Sequence, residues 1–156
     1  MIRRFDRSII VAHSQTEGPL RWSPPLGSID IWWRGGANGN LMLTLAHLLK
    51  QNSVWRRRKI RLLVPVPPGH DPDKAQGPLR EMIERARVDA NPVMMPTEDA
   101  VTSWREHSAS AAVVFIGFDP PAAEDAADFH RELSDSIEGL QQVLLVSSAG
   151  GVSLAG

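Results

Sequence analysis

The residues best suited to bind a ligand lie in a glycine-rich turn between a predicted strand and a predicted helix. The turn is Gly35-Gly36-Ala37-Asn38-Gly39-Asn40. Its backbone N–H groups and the N-terminus of the helix could together hold an anion. The spacing differs from that of a dinucleotide-binding loop, and no Lys-Ser/Thr follows as in a P-loop. We therefore interpret the segment as a strand-to-helix turn capped by Asn38 or Asn40, with anion binding as the alternative.

Two serines extend this candidate site. Ser147 and Ser148 end the last predicted strand, and open α/β sheets bind their ligands at the carboxyl ends of strands. No identifiable His and acid partner accompanies them, so their simplest interpretation is as loop serines. The candidate ligand-binding residues are therefore Gly35, Gly36, Asn38, Gly39, Ser147 and Ser148.

No motif in the chain indicates catalysis or a metal site. There is no cysteine and no Gly-x-Ser-x-Gly elbow. The five histidines are not spaced four apart on a helix and adjoin no compact carboxylate cluster. Asp30 is flanked by Ile29 and Ile31, which favours a buried, paired carboxylate over a catalytic one. We predict no catalytic residue, no metal and no cofactor.

The densest positive charge lies at residues 56–59, Arg-Arg-Arg-Lys, with Arg61 close behind. Trp55 precedes this run. Such a cluster could bind the phosphates of RNA or of acidic lipid head groups. Cations after a helix also favour its C-terminal dipole and remain solvated. We expect the second explanation, because the balanced net charge offers no wider basic face.

The elements that must position these residues alternate between strand and helix. Five apolar runs of strand length start near Ile29, Ile60, Pro92, Ala111 and Val143, and four helical patterns lie between them. This order predicts an α/β fold, doubly wound, with a mostly parallel five-stranded sheet and helices on both faces. Residues 1–26 are interpreted as an N-terminal strand and a Pro/Gly-rich connecting arm, and residues 27–156 as the α/β domain.

Two helix starts carry specific predictions. Thr97-Glu98-Asp99-Ala100 fits a capped start of the third helix. Asp71-Pro72 fits the start of the second helix, with Asp as the cap and Pro in the first turn. Pro78 would then lie inside that helix, so the helix is either kinked there or begins near Pro78.

The composition excludes several classes of protein. The chain has 156 residues, of which 42% are hydrophobic and 22% charged, with a net charge of −1. These values exclude wholesale disorder and give no global attraction to nucleic acid or to an anionic membrane. The longest apolar run, residues 111–118, is far shorter than the roughly 18 residues of a membrane span. The N-terminus lacks the apolar stretch of a secretory signal. Composition therefore predicts a soluble, intracellular single domain.

Several segments resemble one family in the same order along the chain. Gly27-Ser28-Ile29-Asp30-Ile31-Trp32-Trp33 is similar to the Gly-Thr-Ile-Asp-Val-Trp-Trp segment in the cytosolic C-terminal domain of cation–chloride cotransporters, of the amino-acid permease superfamily. Residues 41–49 resemble its Leu-rich helix, and residues 59–64 its Lys-Ile-Arg strand. Residues 105–108 resemble its Glu-His-Ser segment, and residues 143–146 its terminal strand. The resemblance spans residues 27–154.

The resemblance implies a fold related to universal stress proteins and a regulatory, trafficking or dimerising role instead of catalysis. It further implies self-association, contact with the transmembrane part of the same transporter, and a location on the cytoplasmic side of the cell membrane. Neither nucleic-acid binding nor direct membrane insertion by this segment is expected. Trp22, in the Pro-rich arm, is a candidate for covering an interface.

The sequence also departs from the family. Residues 95–104 are short where the family carries a long, often phosphorylated insertion, which puts kinase regulation in doubt. Ser147 stands where the family has Arg. The glycines that an ATP-binding universal stress protein carries after its fourth strand are missing after Phe118. The alternative function is a stand-alone sensor of a small ligand or nucleotide, related in fold to universal stress proteins.

Overall fold

The computed structural model describes residues 7–14 and 26–150. The described strands are β1 (Ile9–Ser14), β2 (Ile29–Trp32), β3 (Ile60–Val66), β4 (Ala90–Pro96), β5 (Val113–Gly117) and β6 (Gln142–Ser147). The described α-helices are α1 (Gly36–Leu49), α2 (Pro72–Ala86), α3 (Ala100–Ser108) and α4 (Ala126–Ile137). A 3-10 turn at Ala123–Asp125 precedes α4. Trp22 lies outside the described residues.

The strands form one sheet in the order β1-β6-β5-β2-β3-β4. All neighbouring pairs among β2 to β6 are parallel, and β1 pairs antiparallel with β6. The predicted α/β fold with a mostly parallel sheet is therefore confirmed, with six strands in place of five. The additional strand is β1, which corresponds to the predicted N-terminal strand and which the prediction left out of the sheet. An isolated apolar run does not show which sheet edge it joins, so its pairing was not predictable.

Helices cover both faces of the sheet, as the doubly wound arrangement requires. On one face, α1 and α2 pack over side chains such as Ile31, Leu62 and Phe115. On the other face, Trp104 of α3 and Ile137 of α4 pack over the remaining strand side chains. Because both faces are buried, the parallel strands are apolar at nearly every position. No helix in the described ranges is long and apolar enough to cross a membrane.

Helix starts follow the predicted chemistry in two cases out of three. Asp99 accepts hydrogen bonds from the backbone N–H groups of Val101 and Thr102 and caps α3. Asp71 caps α2, which begins at Pro72 and continues past Pro78 to Ala86. Of the two predicted starts, the one at Asp71-Pro72 is therefore correct. The predicted Asn cap of α1 is wrong, because α1 begins at Gly36 after Gly35 and has no side-chain cap.

Candidate functional site: the carboxyl edge of the sheet

The carboxyl ends of β2 and β5 meet at the middle of the sheet. The chain leaves β2 toward α1 on one face and leaves β5 toward α4 on the other. In open α/β sheets, ligands bind in the crevice at such a change of direction. The glycine-rich turn follows β2 directly and therefore lies at this crevice.

Two adjoining clefts occupy the crevice. The larger has a volume of about 660 Å³ and lies over the ends of β2, β3 and β4, while the smaller, of about 200 Å³, lies over the ends of β2 and β5. Both are lined by Arg34, Gly35, Pro65 and Ala100. Arg34 is exposed and supplies positive charge where the two clefts join.

The larger cleft also carries negative charge. Asp99, the cap of α3, lines it together with Glu98. The Thr102 hydroxyl donates to Asp99 Oδ2 at 2.5 Å, and this hydrogen bond lowers the pKa of the Asp99 carboxyl from its ordinary value. Asp99 is therefore ionised at neutral pH, so the cleft presents both signs of charge to a ligand.

Asn38 connects the glycine turn to the ends of two other strands. Its Nδ2 donates to the carbonyl oxygen of Phe118, just beyond β5, at 3.2 Å. Its Oδ1 accepts from the backbone N–H of Ser148, just beyond β6, at 2.7 Å. The side chain thus satisfies backbone groups at the carboxyl edge instead of capping α1, and it fixes the shape of the smaller cleft.

The glycines of the turn serve two different purposes. Gly35 and Gly36 have φ values of 76° and 67°, in the left-handed region that glycine adopts without strain. Gly39 is buried, and a Cβ there would lie 2.9 Å from the Trp33 ring. Gly35 and Gly36 therefore shape the turn, whereas Gly39 gives Trp33 room to pack on α1.

The two adjacent serines lie in different environments. Ser147 is buried at the end of β6, where it pairs with Ile9 of β1. Ser148 joins the crevice through its backbone, and its Oγ accepts from the Gly150 N–H at 3.0 Å. Of the six predicted residues, Gly35 and Asn38 line the clefts and Asn38 holds Ser148.

A second polar group of residues lies toward the amino ends of the strands. Asp30 is fully buried, and Arg61 on β3 donates to its two carboxylate oxygens at 2.8 and 2.6 Å. The Ser28 hydroxyl donates to Oδ1 at 2.6 Å, and the Ser108 hydroxyl donates to Oδ2 at 2.7 Å. We call Asp30, Arg61, Ser28 and Ser108 the Asp30 network. It confirms that Asp30 is buried and paired.

Two further contacts extend the Asp30 network. Trp32 Nε1 donates to Ser108 Oγ at 3.1 Å, and Arg61 Nη2 donates to the His107 carbonyl at 2.9 Å. The hydrogen bond to Asp30 raises the pKa of the Arg61 guanidinium, so Arg61 stays charged at any ordinary pH. Trp32 also lines the smaller cleft, which connects this network to the crevice.

Sequence reasoning identified Asp30 but not its partners. Arg61 sits in an apolar strand directly opposite Asp30 in the parallel register, and a charged residue inside such a strand is a usable signal. Ser108 lies 78 positions from Asp30, and no local pattern links them. Within residues 7–14 and 26–150, no group of three His, Cys, Asp or Glu side chains could hold a metal ion.

Comparison with protein-family models and with the sequences of curated proteins gives no match.

Proposed function

We propose that the chain is a non-catalytic cytosolic regulatory and dimerisation domain of a membrane transporter that resembles cation–chloride cotransporters or amino-acid permeases. The Asp30 network is the observation that carries the proposal. Asp30, Arg61 and Ser108 come from three of the segments on which the resemblance rests, and their side chains bond to one another. The segments therefore belong to one structural unit.

The state of Asp30 supports a non-catalytic role. Each carboxylate oxygen accepts two hydrogen bonds, one from Arg61 and one from a serine hydroxyl. The side chain is fully buried, and a general base needs access to the proton that it removes. This carboxylate therefore contributes to stability and specificity of folding, and function is assigned to the surfaces of the domain.

The proposal of self-association is supported by one edge strand of the sheet. In the described part of the chain, β1 is paired only on its β6 side, and it contains no proline and no Lys, Arg, Asp or Glu. Ile10 and Val11 are 49% and 44% exposed. The opposite edge strand, β4, contains Pro92 and Pro96, which cannot donate to a further strand. A second copy can therefore extend the sheet antiparallel at β1.

We expect a molar mass of twice the 17.2 kDa chain mass in size-exclusion chromatography with light scattering. Val11→Lys should yield the monomer, because a charged side chain on an edge strand opposes pairing with another strand. Asn91→Lys, at an exposed position of β4, is the matched control and should remain dimeric.

Two results would count against this proposal in different ways. A wild-type protein that stays monomeric at high concentration contradicts self-association. If the Val11→Lys protein remains dimeric, self-association stands, but β1 is not the surface through which it occurs.

The alternative, a stand-alone sensor of a small ligand or nucleotide, is favoured by the paired clefts and by Arg34 between them. Thermal shift with ATP, AMP and cyclic nucleotides tests it. A ligand at 100 times its Kd should stabilise the protein by about 2.7 kcal/mol, and Arg34→Ala should remove the shift. Absence of a shift with all of these nucleotides eliminates their binding as the function.

A further inference from the structure

The nearly neutral net charge conceals a strong separation of charge along the chain. Residues 31–70 contain seven Lys and Arg and no Asp or Glu, whereas residues 71–140 contain fifteen Asp and Glu and six Lys and Arg. Five of the seven cations lie in residues 50–59, which connect α1 to β3. We call residues 50–59 the basic loop.

The basic loop is built from consecutive hydrogen-bonded turns. The backbone N–H of Trp55 donates to the Asn52 carbonyl at 3.1 Å, and that of Arg58 donates to the Trp55 carbonyl at 3.0 Å. The Arg58 guanidinium lies 5.0 Å from the centre of the Trp55 ring and donates to the Gly27 carbonyl at 2.9 Å. The loop is therefore fixed against the body of the domain.

Three cations on this loop face solvent. Arg56, Arg57 and Lys59 are exposed, and their side chains form no ion pair with any residue in the described ranges. The dipole of α1 does not account for them, because its effect is limited to the last turn and α1 ends at Leu49. Their positive charge is consequently available to an anionic partner.

Two exposed aliphatic side chains lie within eleven residues of these cations in the sequence. Leu48 at the end of α1 is 57% exposed, and Val54 in the basic loop is 49% exposed. Cations beside exposed aliphatic groups match the boundary between lipid head groups and acyl chains. Single-stranded nucleic acid instead binds aromatic faces on which its bases stack. One face of Trp55 is covered by Arg58, and Trp55 packs against the hydrophobic core, so these observations favour a membrane.

We infer that the basic loop docks the domain on an anionic phospholipid bilayer. Arg56, Arg57 and Lys59 contact the head-group phosphates, while Leu48 and Val54 enter the interface without spanning the membrane. The loop precedes β3 and so lies toward the amino ends of the strands, opposite the carboxyl-edge clefts. Docking therefore leaves both clefts open. The inference rests on the loop itself and holds for a transporter domain or a free-standing protein.

Co-sedimentation with vesicles tests this inference on the full chain. We expect binding to phosphatidylcholine vesicles containing phosphatidylserine, no binding to phosphatidylcholine alone, and weaker binding at high salt. Combining Arg56→Ala, Arg57→Ala and Lys59→Ala should lower the partition coefficient about a hundredfold. The control combines Lys74→Ala, Arg80→Ala and Arg85→Ala on exposed positions of α2, which removes the same charge and should retain binding.

Specific results would overturn the inference. The first is failure of the wild-type chain to bind the anionic vesicles. The second is an equal loss of binding in the two triple variants. A third is retention of full binding by Leu48→Ser with Val54→Ser, which would make the loop a general anion-binding surface. Binding of a single-stranded RNA that depends on the loop cations, without vesicle binding, would assign the surface to nucleic acid instead.

Discussion

Asp30→Ala is expected to destabilise the protein by about 2–3 kcal/mol, because it leaves the partly buried Arg61 guanidinium, whose side chain is 33% exposed, without its partner. The same change removes the acceptor of the Ser28 and Ser108 hydroxyls. Arg61→Met should have a cost of the same order, since it leaves a fully buried carboxylate unpaired. Urea denaturation at constant m-value measures both changes in the free energy of unfolding.

The double variant and an exposed ion pair serve as controls. Asp30→Ala combined with Arg61→Met should cost clearly less than the two single changes together, because no unpaired charge remains. Arg131→Met breaks an ion pair with Asp128 in which both side chains are over 70% exposed, and should cost at most about 1 kcal/mol. Additive effects of Asp30→Ala and Arg61→Met would show that the two side chains are not coupled.

Gly27→Ala is expected to destabilise the protein by about 3 kcal/mol or more. Gly27 has a φ of 132°, which side-chain-bearing residues rarely adopt. A Cβ at this position would also overlap the Ser110 carbonyl oxygen and lie 2.7 Å from the Ala112 nitrogen. Both contacts are with backbone, so a rotamer change cannot relieve them. Thermal and urea denaturation of the variant measure the loss.

Gly77→Ala is the matched control. Gly77 lies inside α2, and apart from its chain neighbours and the adjacent helix backbone no atom lies within 4 Å of the position that its Cβ would occupy. Alanine there should change the free energy of unfolding by at most about 1 kcal/mol, because its higher helix propensity is opposed by the steric restriction that Pro78 places on the residue before it. A Gly27→Ala protein as stable as the Gly77→Ala protein would contradict the close approach of the β2 entry to residues 110–112.

The fold was predictable where local sequence determines it. Apolar runs such as residues 111–118 correspond to strands buried on both faces, and Asp71 with Pro72 marks the true start of α2. The place of β1 was not predictable, because its pairing with β6 joins segments more than 120 residues apart. Pattern within one segment carries no information about such pairing.

In the candidate site, too, the features set by local sequence were predictable and those set by distant contacts were not. The position of the glycine turn beside β2 follows from the order of elements, and the turn does lie at the carboxyl edge of the sheet. The role of Asn38 was missed, because its partners Phe118 and Ser148 are 80 and 110 positions away. The charge separation around the basic loop was present in the sequence but hidden by the net charge of −1.

The most direct test of a transporter origin is the genomic DNA sequence immediately upstream of the Met1 codon. Our proposal predicts an open frame that continues upstream and encodes several apolar stretches of about 18 or more residues. Deleting the segment that encodes this domain should then alter regulated transport. A stop codon and a ribosome-binding site directly before Met1 would contradict the proposal and would favour the stand-alone ligand sensor.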